Sequence, residues 1–305
     1  SHARAENTRV IVMNKSLQIY VSSTLPSMGI NGVDAVTFNS WALSIIRNAT
    51  REKIFFKHRE LPEFIEKIKF SSGILEALSQ FVIQKERDID TAISREFLTN
   101  EKLFSVWKES YKKALQPRLK DFKYDVSKSD LPIKEKQVAL DYVQNLLTSQ
   151  EDYIGDLYEL LSDEKLLGSS FSEEPKLKEH LSYLSRMVDK NRKNNQLDYY
   201  DMSLILRLIQ LKYGGLPNKN GGISEFDHLV VDEAQDFGPV EFSIMMDSVG
   251  DKRDLTIVGD VSQKILFSRK FIGWENILKN LDIKKDTLIE LEVSFRCTVP
   301  IMNLA

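Results

Sequence analysis

Two adjacent carboxylates, Asp232 and Glu233, close a short apolar run in His228-Leu229-Val230-Val231-Asp232-Glu233-Ala234-Gln235-Asp236. At the end of a buried strand, an Asp can hold Mg²⁺ on the β- and γ-phosphates of a nucleotide, and a neighbouring Glu can orient and deprotonate an attacking water. Two later stretches repeat the pattern. Leu255 to Val258 leads into Gly259-Asp260-Val261-Ser262-Gln263, and Leu288 to Val293 leads into Ser294-Phe295-Arg296. A Gln can sense a γ-phosphate and position the water, and an Arg can stabilise charge on a transferring phosphoryl group. Taken singly, the acid pair is more often a solvated turn, Gln263 a cap and Arg296 half of a surface ion pair. In this order and spacing the three make a phosphoryl-transfer constellation.

Such groups cooperate only if strand tips deliver them to one edge. Leu229, Val230 and Val231 have the composition of a parallel strand buried on both faces, and open α/β sheets bind ligands beyond the carboxyl ends of their strands. Arg9 to Met13 reads as another buried strand. Asn14 or Ser16 caps a helix carrying Leu17, Ile19, Tyr20 and Val21, which Leu25-Pro26-Ser27-Met28-Gly29 breaks. Val33 to Phe38 is a second strand, so two strand–helix units lie close together and predict a parallel sheet. Between about Leu43 and Tyr213 glycine and proline become sparse and helical periodicity takes over. Ser129 or Asp130 caps a helix there, with Pro132 in its first turn. Ala139, Val143, Leu146, Tyr153, Leu157 and Leu160 form an amphipathic seam that suits an antiparallel helical pair. Phe171 to Pro175 reads as a linker. A last helix with Tyr200, Leu204, Leu208 and Leu211 on one face stops at Gly214-Gly215, and a loop runs to Gly222. Val240 to Val249 is helical. Lys112-Lys113 and Lys190 to Lys193 read as solvated faces, without aromatic residues interleaved for stacking.

The totals set bounds. At 305 residues the chain holds at least one sizeable core. A net charge of −3 gives no global basic footprint for nucleic acid, though a local basic face is allowed. One cysteine, Cys297, excludes an internal disulfide framework and fits a reducing, cytoplasmic setting. No apolar run suits a membrane span, and no signal-peptide pattern is present, so no membrane partner is expected.

The stretches VVDEAQD, TIVGDVSQ and LEVSFRCT resemble motifs II, III and IV of UvrD/Rep-type superfamily 1 helicases, and NKSLQIYVSSTLPSMGINGVDAVTFNSWA resembles their motif Ia and Ib region. DEAQD, with Asn14, Tyr20, Leu25-Pro26, Gly29, Thr37-Phe38 and Trp41, is most similar to the HelD (helicase IV-like) branch. The resemblance implies an α/β fold: a partial RecA-like parallel sheet of P-loop NTPase type with a large all-helical insertion. It divides the chain into a first part of that domain (1–42), a helical insertion (43–222) and a second part (223–305). It implies ATP and Mg²⁺ as cofactors, with Asp232 as metal ligand, Glu233 as catalytic base, Gln235 and Gln263 as nucleotide sensors, Asp260 among the nucleotide-binding residues and Arg296 at the γ-phosphate. Asn14, Thr37 and Phe38 fall near the single-strand track, although Phe38 suits a core position equally well. Single-stranded or duplex DNA is the implied partner. RNA polymerase is the partner implied by the HelD branch, with the insertion as a protein-binding arm.

Two departures stand out. No glycine in the chain is followed by lysine, so the Gly-x-x-x-x-Gly-Lys-Ser/Thr phosphate cradle is missing, and motifs of a second RecA-like domain are not found. The chain therefore reads as a piece of a larger ATPase. Beyond Gln263, Leu266 and Ser268 stand where DNA-tracking relatives often carry stacking aromatics, which points toward the polymerase-associated branch. The 305 residues by themselves are expected to show no Mg-ATP turnover. Steady phosphate release by the isolated chain, abolished by Glu233→Gln, would contradict this.

Overall fold

The computed structural model describes residues 4–50, 54–171, 176–250 and 254–260. The predicted strand Leu288 to Val293, with Gln263, Arg296 and Cys297, lies outside them, as does most of the expected linker after Phe171.

Four parallel strands make the sheet: β1 (Thr8–Val12), β2 (Asp34–Thr37), β7 (His228–Val231) and β8 (Leu255–Ile257), in the order β2-β1-β7-β8. Ile11 is level with Val36 on one side and Val231 on the other, and Val231 is level with Ile257. All four strands therefore end at one height. Helix α1 (Lys15–Ser27) starts at Asn14, whose side chain accepts the Leu17 N–H at 3.0 Å, so Asn14 rather than Ser16 is the cap. The helix ends one residue after Pro26, and Gly29 takes a positive φ of 81°. Leu17, Val21 and Leu25 of α1 cover Val10, Val12 and Ala35 on one face of the sheet. Because α1 lies over β1 and β2, Val230 is only half-buried, whereas Leu229 and Val231 on the opposite face are fully buried. The strand predicted to be sealed on both faces is thus sealed on one by the described residues.

On that second face α2 (Phe38–Thr50) and α12 (Pro239–Met246) pack against α11 (Tyr199–Tyr213). The chain between them begins with a two-residue strand β3 (Phe56–Lys57), followed by α3 (Glu63–Phe70), α4 (Ser72–Phe97), α5 (Glu101–Glu109), α6 (Leu115–Lys128), α7 (Ile133–Ser149), α8 (Tyr153–Ser162), α9 (Glu164–Ser170) and α10 (Leu177–Lys193). A second short strand, β4 (Leu197–Asp198), pairs in parallel with β3, and β5 (Leu216–Pro217) and β6 (Ile223–Ser224) form a hairpin in the expected loop.

The predicted seam proves to be two separate helices. Ala139 and Val143 sit in a core shared with Phe97, Trp107, Leu119 and Phe122, while α8 packs on α10 and α11. The break comes at Asp152, whose carboxylate accepts the Gly155 N–H at 2.8 Å and caps α8. Neither Ser129 nor Asp130 caps α7. Pro132 holds the N-cap position with no side-chain bond, Ser129 closes α6, and Asp130 is paired with Lys102 at 3.0 Å.

Helix α11 stops at Gly214 with φ 80°, as predicted, but it is buried on nearly every side rather than on one face. It touches α2 and α12 beside the sheet and α3, α4, α6 and α8 of the helical region. Its first turn is a buried capping box: Asp198 accepts from the Tyr200 and Asp201 N–H groups, and Asp201 accepts from the Asp198 N–H. Lys69 Nζ reaches both carboxylates, at 2.8 and 2.5 Å. Burial, reinforced by Asp198, pushes the Asp201 carboxyl up to about 6 despite the ammonium, while the two carboxylates outweigh burial and hold Lys69 above its ordinary value.

Because the folded value for Asp201 exceeds the free one of 3.8, its contribution to stability is full below about pH 4 and is lost as pH rises through about 6. Lys69→Met strands two buried carboxylates, so it should cost about 3–5 kcal/mol at neutral pH. The cost should shrink near pH 5, where Asp201 takes a proton. Denaturant melts at the two pH values check this, and an equal cost at both would contradict it.

Candidate active site

Where β7 ends, its backbone stays tied to both neighbours. The Asp232 N–H donates to the Ile11 carbonyl on β1 at 3.0 Å, and the Ala234 N–H donates to the Val258 carbonyl beyond β8 at 2.9 Å. Asp232 and Glu233 are therefore held at the tip of an inner strand, both half-buried. Asp232 Oδ1 accepts the Glu233 N–H at 2.9 Å, which turns the carboxylate back onto its own loop. Glu233 adopts φ 53° and ψ 46°, the left-handed region. A side chain there costs about 1–3 kcal/mol, and such strain is characteristic of functional loops. A short 3₁₀ turn, Ala234–Asp236, follows, and α12 starts after Gly238, whose N–H is accepted by Glu241 at 3.1 Å.

Gln235 is almost fully buried and spans two strand tips. Its Oε1 accepts the Asp260 N–H at 3.0 Å, and its Nε2 donates to Glu233 Oε2 at 2.6 Å. The orientation is fixed by chemistry, since a backbone N–H can only donate and a carboxylate can only accept. Gly259 makes the approach possible. A Cβ on it would lie 2.7 Å from Gln235 Oε1 and 3.1 Å from the Ala234 nitrogen. Gly259 was not singled out as a functional position in the sequence; the signal available was a glycine directly after an apolar strand and before an acid.

At the other half of the same edge, Asn14 and Thr37 follow β1 and β2. Asn14 is exposed and caps α1. Thr37 Oγ1 accepts the Ser40 N–H at 3.2 Å and so caps α2. Phe38 is 4% exposed and packs against Trp41 and Phe237, with ring centroids 5.8 Å away in each case, the core position that the sequence left open. Asn14, Thr37, Asp232, Glu233, Gln235 and Asp260 thus share one edge of the sheet, with Phe38 beneath it.

A parallel sheet whose inner strand ends in an acid pair, with a large helical insertion packed beside it, is consistent with a RecA-like helicase domain. Residues 6–270 match the family model for the UvrD/REP helicase N-terminal domain, and the chain belongs to that family. No curated protein matches the chain. Among the described residues no helix is long and apolar enough to cross a membrane.

The contact between Gly259 and Gln235 gives a direct test. Gly259→Ala should destabilise by about 1–3 kcal/mol through overpacking. The loss should fall substantially in a Gln235→Ala background, where the obstructing carboxamide is gone. Urea melts of the double-mutant cycle measure this, and strict additivity would contradict the contact.

Proposed function

We propose that the chain forms the acid-bearing part of an ATP-driven motor of the UvrD type, in which nucleotide hydrolysis powers movement on DNA. The observation that carries this is the buried carboxamide of Gln235, which joins Glu233 on β7 to the Asp260 backbone beyond β8. On this reading residues 1–42 and 223–305 belong to one RecA-like domain and 43–222 to its insertion. Helix α2 runs across the first of these boundaries.

The donor set suits magnesium. Among the described residues no cluster of three or more metal-binding side chains occurs. Mg²⁺ in nucleotide sites needs only one or two carboxylates, the phosphates and water completing its shell. Asp232 would be that ligand, and its Oδ2 makes no hydrogen bond to a described residue. When bound, the ion neutralises charge on the β- and γ-phosphates. Glu233 takes a proton from the water whose oxygen attacks the γ-phosphorus as the bond to the β-phosphate oxygen breaks. Gln235 orients Glu233 and passes its position to Asp260. Gln263 and Arg296 complete the site on the strength of the family resemblance. None of the glycines in these 305 residues precedes a lysine, so no Gly-Lys phosphate cradle is assigned within them.

Asn14 and Thr37 lie on the same edge, two and three strands away from β8, or roughly 10 and 15 Å at ordinary strand spacing. We assign them to the single-strand track, with Phe38 as their packed support. A second reading, ATP-driven remodelling of RNA polymerase as in the HelD branch, is favoured by Leu266 and Ser268 at the positions of the family's stacking aromatics.

In the full-length protein, Glu233→Gln should lower kcat about 10²–10⁴-fold while nucleotide binding persists. A variant that hydrolyses ATP at the parent rate would overturn the assignment. Turnover stimulated tenfold or more by single-stranded DNA, without co-purifying RNA polymerase, would exclude the second reading.

A further inference from the structure

We propose that α6 and the loop before it form a second contact for single-stranded nucleic acid, built from tyrosines and lysines of the helical region and using no strand tip. It rests on the motor reading for its partner class and goes beyond it in place.

In sequence, Lys112-Lys113 reads as a solvated run. The structure supplies the aromatic partners. Lys112 Nζ lies 5.9 Å from the centre of the Tyr111 ring, Lys128 Nζ 5.6 Å from that of Tyr124, and Lys120 Nζ 4.7 Å from that of Tyr213. Tyr111 and Tyr124 are 68% and 63% exposed. Lys120, Tyr124 and Lys128 are spaced four apart along α6, so they run along one side of the helix over about 12 Å. Lys113 is paired with Asp121 at 2.5 Å, which pins the loop carrying Tyr111 and Lys112 one turn from Tyr124.

Charge points the same way. From Lys108 to Lys128 there are seven lysines and arginines against three acids, a surplus of four in a chain whose net charge is −3. Lys113 and Asp121 cancel each other, and Arg118 is buried against Asp90, which leaves Lys108, Lys112, Lys120, Lys123 and Lys128 against Glu109 and Asp125. Lys112, Lys120 and Lys128 make no ion pair with a described residue, so their charge is available to an anion. Exposed aromatic faces between unpaired ammonium groups match a strand of alternating phosphates and bases: stacking on the rings is sequence-tolerant, and the lysines track the backbone. An acidic protein would use the lysines without needing the rings.

The test is fluorescence anisotropy of a labelled oligo(dT) over a KCl series, with the 305-residue chain and no nucleotide. Lys112→Gln/Lys120→Gln/Lys128→Gln should reduce the slope of log affinity against log salt by about 2, at roughly 0.7 per phosphate contact. Tyr111→Ala/Tyr124→Ala should weaken binding about tenfold or more, and should leave binding of polyglutamate unchanged. All five positions are exposed, and far-UV circular dichroism confirms that each variant folds. Unchanged affinity and slope in both variants would overturn the proposal. A loss with the lysine variant alone would also overturn it, leaving a plain polyanion surface. Since no nucleotide is present, failure here would leave the strand-tip assignment standing, and failure of Glu233→Gln would leave this surface standing.

Discussion

The in-register parallel pairing of β7 between β1 and β8 is the constraint on which the rest depends. Ile11, Val231 and Ile257 share one level, and every polar group discussed follows within a few residues of it. Side chains alternate along a strand, so a slip of one residue would move Leu229 and Val231 out of the core and carry the acid pair away from Asp260. The slip is opposed from both sides. Apolar residues fix one face, while Asp232, Ala234 and Gln235 make the bonds that close the tips. Glu233 is held in a left-handed conformation by that same frame, which shows how firmly the frame dictates the loop.

Helix α11 connects this edge to the insertion. A helix buried all round must find partners for its polar side chains within the protein, and this one does so at three levels, although Arg207 Nε has no hydrogen-bond partner among the described residues. Lys69 meets the Asp198–Asp201 cap, Arg207 meets Asp247 at 2.6 Å, and Lys212 meets Asp156 at 2.5 Å. For the last pair burial pushes both groups toward neutrality, lowering the lysine and raising the acid, against their mutual attraction. Buried ion pairs are weak sources of stability but strict about geometry, because removing one partner leaves an uncompensated charge. Gln210 adds a bond to the Ile244 carbonyl of α12 at 3.0 Å. Helix α11 is thus bonded directly to α12, the helix that follows the acid loop.

Much of the sheet was legible because its signals are local. An apolar triplet ending in acids marks β7, Asn14 marks a helix start and Gly214 a helix end. The acid pair and its place at a strand tip were legible for the same reason. What escaped depended on partners distant in sequence. Arg207, Lys212 and Asp201 look like a solvent face until their partners, 40, 56 and 132 residues away, are brought in. The seam from Ala139 to Leu160 keeps helical spacing across a turn, so periodicity alone could not reveal that its halves pack on different helices. Gln235 and Asp260 were both marked, but not the bond between them, which needs Gly259 and the register of two strands. Tyr111 directly precedes Lys112-Lys113, but its partner Tyr124 is distant in sequence, and only the α6 spacing sets it four residues from Lys120 and from Lys128.

The central claim is that phosphates meet this chain at the tips of β7 and β8, with a metal at Asp232. Mn²⁺ in place of Mg²⁺ tests it directly, since paramagnetic relaxation reports even weak binding of Mn-ATP to the isolated chain. The account predicts selective broadening of the amide resonances of Glu233, Ala234, Gly259 and Asp260, absent in Asp232→Asn. Broadening centred elsewhere, or unaffected by that substitution, would contradict it.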